Sequence, residues 1–258
     1  MITKTQLKQE IAALGIAPND TVLIHTSFKS IGDIEGGADT LIDAFTEYLR
    51  DGLFLVPTHT WANVNRDQPV YRAAETVPCI GLVPRTAACR KDGIRSLHPT
   101  HSVWACGKEA AAFVAGEEAA ETPCPVGGAW WRLGEVHAKL LLIGVGLSSN
   151  TYIHAIDEIA GLDDRLARDP WNVTVVAENG QRFTHPFRNH GRTGSANFDN
   201  FERPLTARGA MTVGKLGNAT VRMVDAAKCR DVLLDIYSRT SENLCLTRQE
   251  IPEALWHK

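Results

Sequence analysis

The chain is 258 residues long, 44% hydrophobic and 22% charged, with a formal net charge of -3. Those values suit one large α/β domain or two small ones of ordinary soluble type, and they exclude a nucleic-acid binder held by clustered Lys and Arg. The N-terminal M-I-T-K-T-Q-L-K-Q-E has no apolar stretch of the signal-peptide kind, and the most apolar run, Leu140 to Gly146, is too short to span a bilayer. The six cysteines, at 79, 89, 106, 124, 229 and 245, form no C-x-x-C pair. That spacing points to reduced thiols in a cytoplasmic protein, not to a disulfide frame or a zinc site.

Thr5 followed by Leu7, Ile11 and Leu14, then Gly15, predicts an amphipathic helix with its stop signal. T-V-L-I-H-T-S (21–27) reads as a buried strand and S-F-K-S-I-G-D-I-E-G-G as a glycine-bearing loop. Leu41, Ile42, Phe45 and Leu49 mark a helix closed by Gly52, and L-F-L-V-P-T (53–58) is a second strand. This is a βαβ unit, which sets the first loop at the carboxyl end of a parallel strand, where open sheets bind ligands. Residues 59–100 read as loops with a short helix around Leu82–Arg90. H-S-V-W-A-C-G (101–107) predicts a strand, K-E-A-A-A-F-V-A a helix, and A-K-L-L-L-I-G-V-G (138–146) the strongest buried strand in the chain. Asn179-Gly180 between two alternating runs predicts a hairpin, a second is expected around Leu216–Asn218, and a helix over 226–240. No repeat or linker interrupts this order, so the reading is a single domain over residues 1–258 with a mixed sheet.

Residues 150–158, N-T-Y-I-H-A-I-D-E, place a histidine one helical turn ahead of two carboxylates. Positions three and four apart share a helix face, so His154 can meet Asp157 or Glu158. A carboxylate that holds one imidazole nitrogen leaves the other free to take a proton. The same spacing also describes a plain solvated i,i+4 pair, so the rest of the chain has to decide.

Three familiar motifs fail on single residues. G-L-S-S-N (146–150) has Asn150 where a nucleophile elbow needs glycine. G-A-M-T-V-G-K-L (209–216) has Leu216 where a P-loop needs Ser or Thr. H-P-T-H (98–101) has metal-like spacing but no third ligand nearby, and no metal is expected. What remains is a set of polar clusters at strand ends: His25 through Gly32, Thr58-His59-Thr60, His98 through Ser102, and His154 through Glu158. A parallel arrangement brings all four to one edge and predicts a shared cleft.

These residues resemble the aminoglycoside 3-N-acetyltransferase family, also called the antibiotic N-acetyltransferases. The resemblance rests on V-L-I-H-T-S-F-K-S-I-G, R-S-L-H-P-T-H-S-V-W-A-C-G, P-V-G-G-A-W-W-R-L, L-L-L-I-G-V-G with N-T-Y-I-H-A-I-D-E, and G-K-L-G-N-A, in the family's order from about residue 5 to 240. It implies a three-layer α/β/α fold with a central mixed sheet, and transfer of an acetyl group from acetyl-CoA to an amine. It also implies that Ser27, Lys29, Ser30, Ile31 and Gly32 receive the cofactor's phosphates and pantetheine arm. A glycine-bearing turn with unpaired N–H groups suits pyrophosphate. Family members acting on aminoglycosides commonly read H-L-A-E in the catalytic segment, whereas Asp157 stands here in place of the Glu and Glu158 follows it. Which of the two holds His154 stays open, and the departure marks a branch whose acceptor need not be an aminoglycoside.

The expected reaction is a direct transfer in a ternary complex. His154 acts as general base, Asp157 or Glu158 orients it, and Ser102 or the Val103 N–H stabilises the oxyanion. Thr58 and Thr60 are expected along the pantetheine channel. His25 and His59, with Glu117, Glu118 and Glu121 in one loop and Asp199 and Glu202 in another, are the candidates for contact with a cationic acceptor. An aminoglycoside is the first expectation for that acceptor; a different small amine, amino sugar or aminophosphonate is the alternative. A CoA-binding homologue without catalysis and a metal-dependent amidohydrolase are the rivals from other classes. No nucleic-acid or membrane partner is expected, and the chain is read as a monomer or homodimer.

Overall fold

The apolar runs at 21–26, 53–57 and 139–143 lie side by side in the middle of one sheet. In the computed structural model, which describes residues 1–192 and 194–257, the strands are β1 (Thr21–Thr26), β2 (Leu53–Pro57), β3 (Val70–Arg72), β4 (Ile94–Arg95), β5 (Val103–Gly107), β6 (Lys139–Ile143), β7 (Trp171–Val176), β8 (Arg182–Phe187), β9 (Met211–Leu216) and β10 (Ala219–Asp225). The central sheet has the order β4-β5-β2-β1-β6-β10-β9. β1 runs parallel to β2 and to β6, while β5, β4, β10 and β9 each pair antiparallel with their neighbours. The sheet is therefore mixed, as expected.

The helices are α1 (Lys4–Ala13), α2 (Phe28–Ile31), α3 (Gly37–Tyr48), α4 (Leu82–Cys89), α5 (Ala110–Phe113), α6 (Ala129–Glu135), α7 (Thr151–Ile159), α8 (Glu202–Ala207) and α9 (Ala226–Tyr237). Side chains alternate faces along a strand, and the sheet feeds two cores accordingly. Val22, Ile24, Phe54, Val56 and Leu141 pack with Leu7 and Ile11 of α1 and Leu41 and Phe45 of α3. Leu23, Leu55, Leu140 and Leu142 pack with Trp130 of α6, Ile153 of α7 and Leu233 of α9. Burying each such side chain contributes roughly 1.5–3 kcal/mol. Helices on both faces give the three layers.

One expectation needed refinement. The hairpin β7–β8 does not join the central sheet; with β3 it forms a separate sheet of order β3-β7-β8 around Tyr71, Trp171, Val173, Val175 and Phe187. β3 is only three residues long and pairs in parallel with a strand a hundred residues away, so the stretch 59–100 carries too little pattern to announce it. The second hairpin falls where expected, turning at Gly217 (φ 55°) and Asn218. The segment that mimics a P-loop is strand β9. Among the described residues no helix is long and apolar enough to cross a membrane.

Candidate active site

β1 ends at His25-Thr26, β2 runs into Thr58-His59-Thr60, and β6 continues through Gly144 and the 3-10 turn Leu147–Ser149 into α7. β5 is antiparallel to β2, with Val103 opposite Pro57, so its approach segment His98–Ser102 arrives at the same edge. A cleft of about 390 Å³ opens there, a size suited to small molecules. Its wall includes His25, Thr26, His59, His101, Thr151, His154 and His190. The first loop packs beside it. Gly144 has φ 67°, and a Cβ there would strike the Ser30 hydroxyl, so only glycine lets the two loops close together.

Asn150 caps α7, its side-chain oxygen accepting the Tyr152 N–H at 3.3 Å. Thr151 through Asp157 are all buried, because the helix is wedged between the sheet and helices α6 and α9. The His154 ring lies 4.2 Å from that of His190 and 4.8 Å from that of Phe198. Its Nδ1 is shut away from solvent with no hydrogen-bond partner, which leaves Nε2 to meet the cleft.

Neither carboxylate reaches His154, and the expectation of a direct orienting contact is corrected on this geometry. Asp157 accepts from Arg165 Nη1 at 3.1 Å, the Tyr237 hydroxyl at 2.7 Å and the Cys245 thiol at 3.4 Å. Glu158 accepts the Thr122 hydroxyl at 2.7 Å and the Cys124 N–H at 3.0 Å. Both side chains turn into the protein, where a guanidinium, hydroxyls and a loop N–H compete better than an imidazole.

Arg165 carries the link onward. Its Nη2 donates to His190 Nδ1 at 2.7 Å. A guanidinium can only donate, so Nδ1 accepts and the proton of His190 sits on Nε2. That N–H faces His101 Nε2 at 3.2 Å, which must accept, placing the proton of His101 on Nδ1, 2.9 Å from Thr100 Oγ1. Two tautomers are thereby fixed from Asp157 outward. His98 is fixed separately: Nδ1 accepts the N–H groups of Thr100 and His101, and Nε2 donates to the Thr122 carbonyl. Burial drives all six of these rings toward the neutral form. His25 falls to about 3 and His98 to about 4. His59, His101, His154 and His190 lie well below 6.5, with neighbouring histidines and, for the last three, Arg165 adding to the effect.

Other expected site residues lie elsewhere. Ser102 is fully buried, and its hydroxyl donates to the Thr58 carbonyl at 2.8 Å while accepting from Thr58 Oγ1 at 2.9 Å. The Val103 N–H donates to Ser96 Oγ at 3.1 Å. Thr60 Oγ1 donates to the Pro99 carbonyl at 2.5 Å. None of Thr58, Thr60, Ser102 and Val103 lines the cleft; they lock the loop after β2 to the loop before β5. Ser27, Lys29, Ser30, Ile31 and Gly32 form the turn just beyond Thr26. Ile31 is buried in the core, and Gly32 takes φ 106° against the Asn218 side chain.

The acidic candidates scatter. Glu117 is buried, accepts the Ala129 N–H at 2.8 Å, and is pushed up to about 7 by desolvation. Glu121 borders a separate depression with Glu117, and Glu118 is not on the cleft wall. Glu202 pairs with Arg222, and Asp199 accepts the Ser148 N–H at 3.2 Å at the cleft's edge. Residue 193, within the loop 188–205, lies outside the described residues. No group of three or more His, Cys, Asp or Glu among the described residues is placed to hold a metal ion.

The site also contains residues that were not anticipated. Thr151, three before His154 and so on the same helix face, holds His59 Nε2 at 3.0 Å; the spacing rule used for the carboxylates applies equally backwards. Arg165 and His190 carry no local signal at all.

A family model described as aminoglycoside 3-N-acetyltransferase matches residues 23–238. The chain is 26% identical over 254 residues to aminoglycoside N(3)-acetyltransferase IX of Micromonospora chalcea, spanning 87% of this chain and 89% of that one. A solved structure of AAC-VIa bound to sisomicin superposes with a TM-score of 0.79 at 22% identity, covering 93% of this chain and 99% of the other. AAC-IIIb in binary complex with CoASH superposes with a TM-score of 0.75 at 21% identity, covering 89% and 93%.

Proposed function

The chain belongs to the aminoglycoside 3-N-acetyltransferase family, and on that footing we propose that it transfers the acetyl group of acetyl-CoA to an amine, with His154 as general base. The observation that carries the proposal is His154 itself: a buried neutral imidazole with Nε2 on the cleft, at the carboxyl ends of parallel strands. In the proposed reaction the amine lone pair attacks the thioester carbonyl carbon. His154 Nε2 takes the proton from the nitrogen, the C–S bond breaks, and the CoA sulfur leaves and is protonated.

The oxyanion needs a donor that Ser102 and Val103 do not offer. Thr151, one turn before His154 on the cleft wall, takes that place in the proposal, its hydroxyl accepting from the Nε2–H tautomer of His59 and so keeping its own proton for the oxyanion; such a donor typically contributes about 3 kcal/mol. CoA is assigned to the turn Ser27–Gly32, where Lys29 is exposed for its phosphates; the solved relative in complex with CoASH supports a CoA-dependent reaction. Relatives named as N(3)-acetyltransferases, and one solved with sisomicin, make the 3-N amine of an aminoglycoside the first acceptor to test.

The test is thiol release from acetyl-CoA by the purified protein with a panel of amines. Amine-dependent release above the hydrolysis background is expected. If no amine stimulates release while CoA binds normally, the chain is a CoA-binding protein and not a transferase.

A further inference from the structure

We propose that His190 is a positioning residue for the general base: its ring, tied at both nitrogens, is the plate on which His154 stacks and the neutral π face that the His154 imidazolium meets during transfer. The inference rests on the acetyl-transfer reading above and adds a residue to it.

The first observation is what does not hold His154. A catalytic imidazole is ordinarily fixed by a hydrogen bond at the nitrogen that faces away from the substrate. Here Nδ1 is buried without a partner among the described residues. The oxygens of Asp157 and Glu158 are engaged by Arg165, Tyr237, Thr122 and the Cys124 N–H. The ring has to be oriented through its faces.

The second observation is what lies against those faces. The ring of His190 sits 4.2 Å from that of His154, tilted by 34°, and the ring of Phe198 sits 4.8 Å away at 60°. Phe198 is fully buried in the core that also holds Ile153 and Leu205. His190 comes from the loop after β8 and is held differently: Nδ1 accepts from Arg165 Nη2 at 2.7 Å, and Nε2 faces His101 Nε2 at 3.2 Å. A ring tied at both nitrogens cannot turn about its Cβ–Cγ bond without breaking a contact, so it is a rigid plate.

The third observation is charge. Protonating His190 Nδ1 would set an N–H against the guanidinium, so this ring stays neutral. When His154 Nε2 takes the amine proton it becomes a cation beside two neutral rings, and a desolvated cation against a π face is stabilised. Burial, and then Arg165, His101 and His59, disfavour that charge. Asp157 offsets Arg165, and the stack supplies the favourable contact that neither carboxylate makes.

The experiment compares His190→Phe with His190→Leu. Both lose the contacts to Arg165 and His101 and both are apolar, but the first keeps a flat π face and the second does not. Stability in denaturant should fall alike in the two, and CoA affinity by calorimetry should stay within about two-fold of wild type. The expected result is a kcat for the Phe variant about ten-fold above that of the Leu variant. Equal kcat values in two folded variants overturn the proposal and leave His190 as a structural tie between its loop and Arg165. Should neither variant fold, Phe198→Leu, which leaves Arg165 and His101 in place, decides. Its kcat is expected to fall about five-fold, and an unchanged kcat overturns the proposal. If no amine stimulates release by the wild type, the transfer reading fails, and an NMR titration of His154 still tests the plate. His154 should then protonate at a lower pH in the Leu variant than in the Phe variant; the same midpoint in both overturns the proposal.

Discussion

One helix presents two chemistries. On the cleft side of α7, His154 meets the rings of His190 and Phe198 at 4.2 and 4.8 Å. One turn later and deeper in the protein, Asp157 meets a guanidinium, a phenol and a thiol, and the pair it makes with Arg165 is almost fully buried. The wall of the cleft is neutral; the ground behind it is charged. The hydrogen bond from Arg165 to His190 joins them. The carboxylate therefore acts on the histidine wall at one remove, by fixing tautomers, and it brings no negative charge to the place where the amine arrives. Neutral histidines in a dry wall are also the part of this arrangement most exposed to acid.

Acidification should break the comparison most severely, because it charges the wall. A histidine whose folded pKa lies below its unfolded value of 6.5 contributes stability that is fully present above 6.5 and lost as pH falls toward the folded value. Each withdraws up to ~1.4 kcal/mol per pH unit across that window. His25, held at about 3, and His98, at about 4, act in this direction, as do His59, His101, His154 and His190. Glu117 and Glu158, both near 7, oppose them in part. Denaturant unfolding between pH 7 and 5 should therefore show a loss of several kcal/mol, and a flat profile would mean that the wall is solvated.

Removing the base tests the cleft side directly. His154→Ala should lower kcat by about 10²–10⁴ and leave CoA affinity nearly unchanged. A near-wild-type kcat takes His154 out of the mechanism.

The charged ground behind the wall is tested by Asp157→Ala, which strands Arg165 in the interior and should lower stability by about 3–5 kcal/mol. It should also free the His190 tautomer, so that kcat falls and its pH profile shifts even where the protein is folded. Asp157→Asn keeps the shape and one acceptor oxygen but also leaves Arg165 without its counter-charge, so it should recover only part of the stability and none of the profile. If both variants keep the wild-type profile, the link through Arg165 is structural alone.

How far the sequence announces these two regions differs for a physical reason. The parallel strands are legible because a strand buried on both faces reads as a continuous apolar run, and Leu140–Ile143 is such a run. The clustering at one sheet edge is legible too, since strand direction follows from the βαβ unit. His154 stands out because helix spacing is local. The partners of Asp157 and Glu158 do not, since Arg165, Thr122 and Tyr237 come from three other segments whose approach only tertiary packing decides. Ser102 looked available because a serine beside a histidine at a strand end is exposed as often as buried, and only the observed hydrogen bond to Thr58 shows otherwise. β3 is silent because three residues carry no period.

The acidic depression around Glu117 sharpens the comparison last and most gently. It lies apart from the cleft, so charge there should matter to folding and not to turnover. Desolvation raises the Glu117 carboxyl from 4.5 to about 7, so the folded state holds this proton more tightly than the unfolded chain does. The contribution to stability is full below pH 4.5, declines as pH rises toward 7, and is gone above it. At pH 8 the protein must keep an ionised carboxylate buried, relieved in part by the Ala129 N–H, the charge of Arg132 and the more distant Ser96 hydroxyl. Glu117→Gln retains an oxygen for the Ala129 N–H and an amide N–H for Ser96 Oγ, and removes the charge. The variant should gain ~1–3 kcal/mol at pH 8, and lose the difference from wild type as pH falls to 4.5. Its kcat/KM for the amine should stay within about two-fold of wild type, the scatter expected of a site that touches neither substrate. A drop of ten-fold or more would bring Glu117 into the acceptor site.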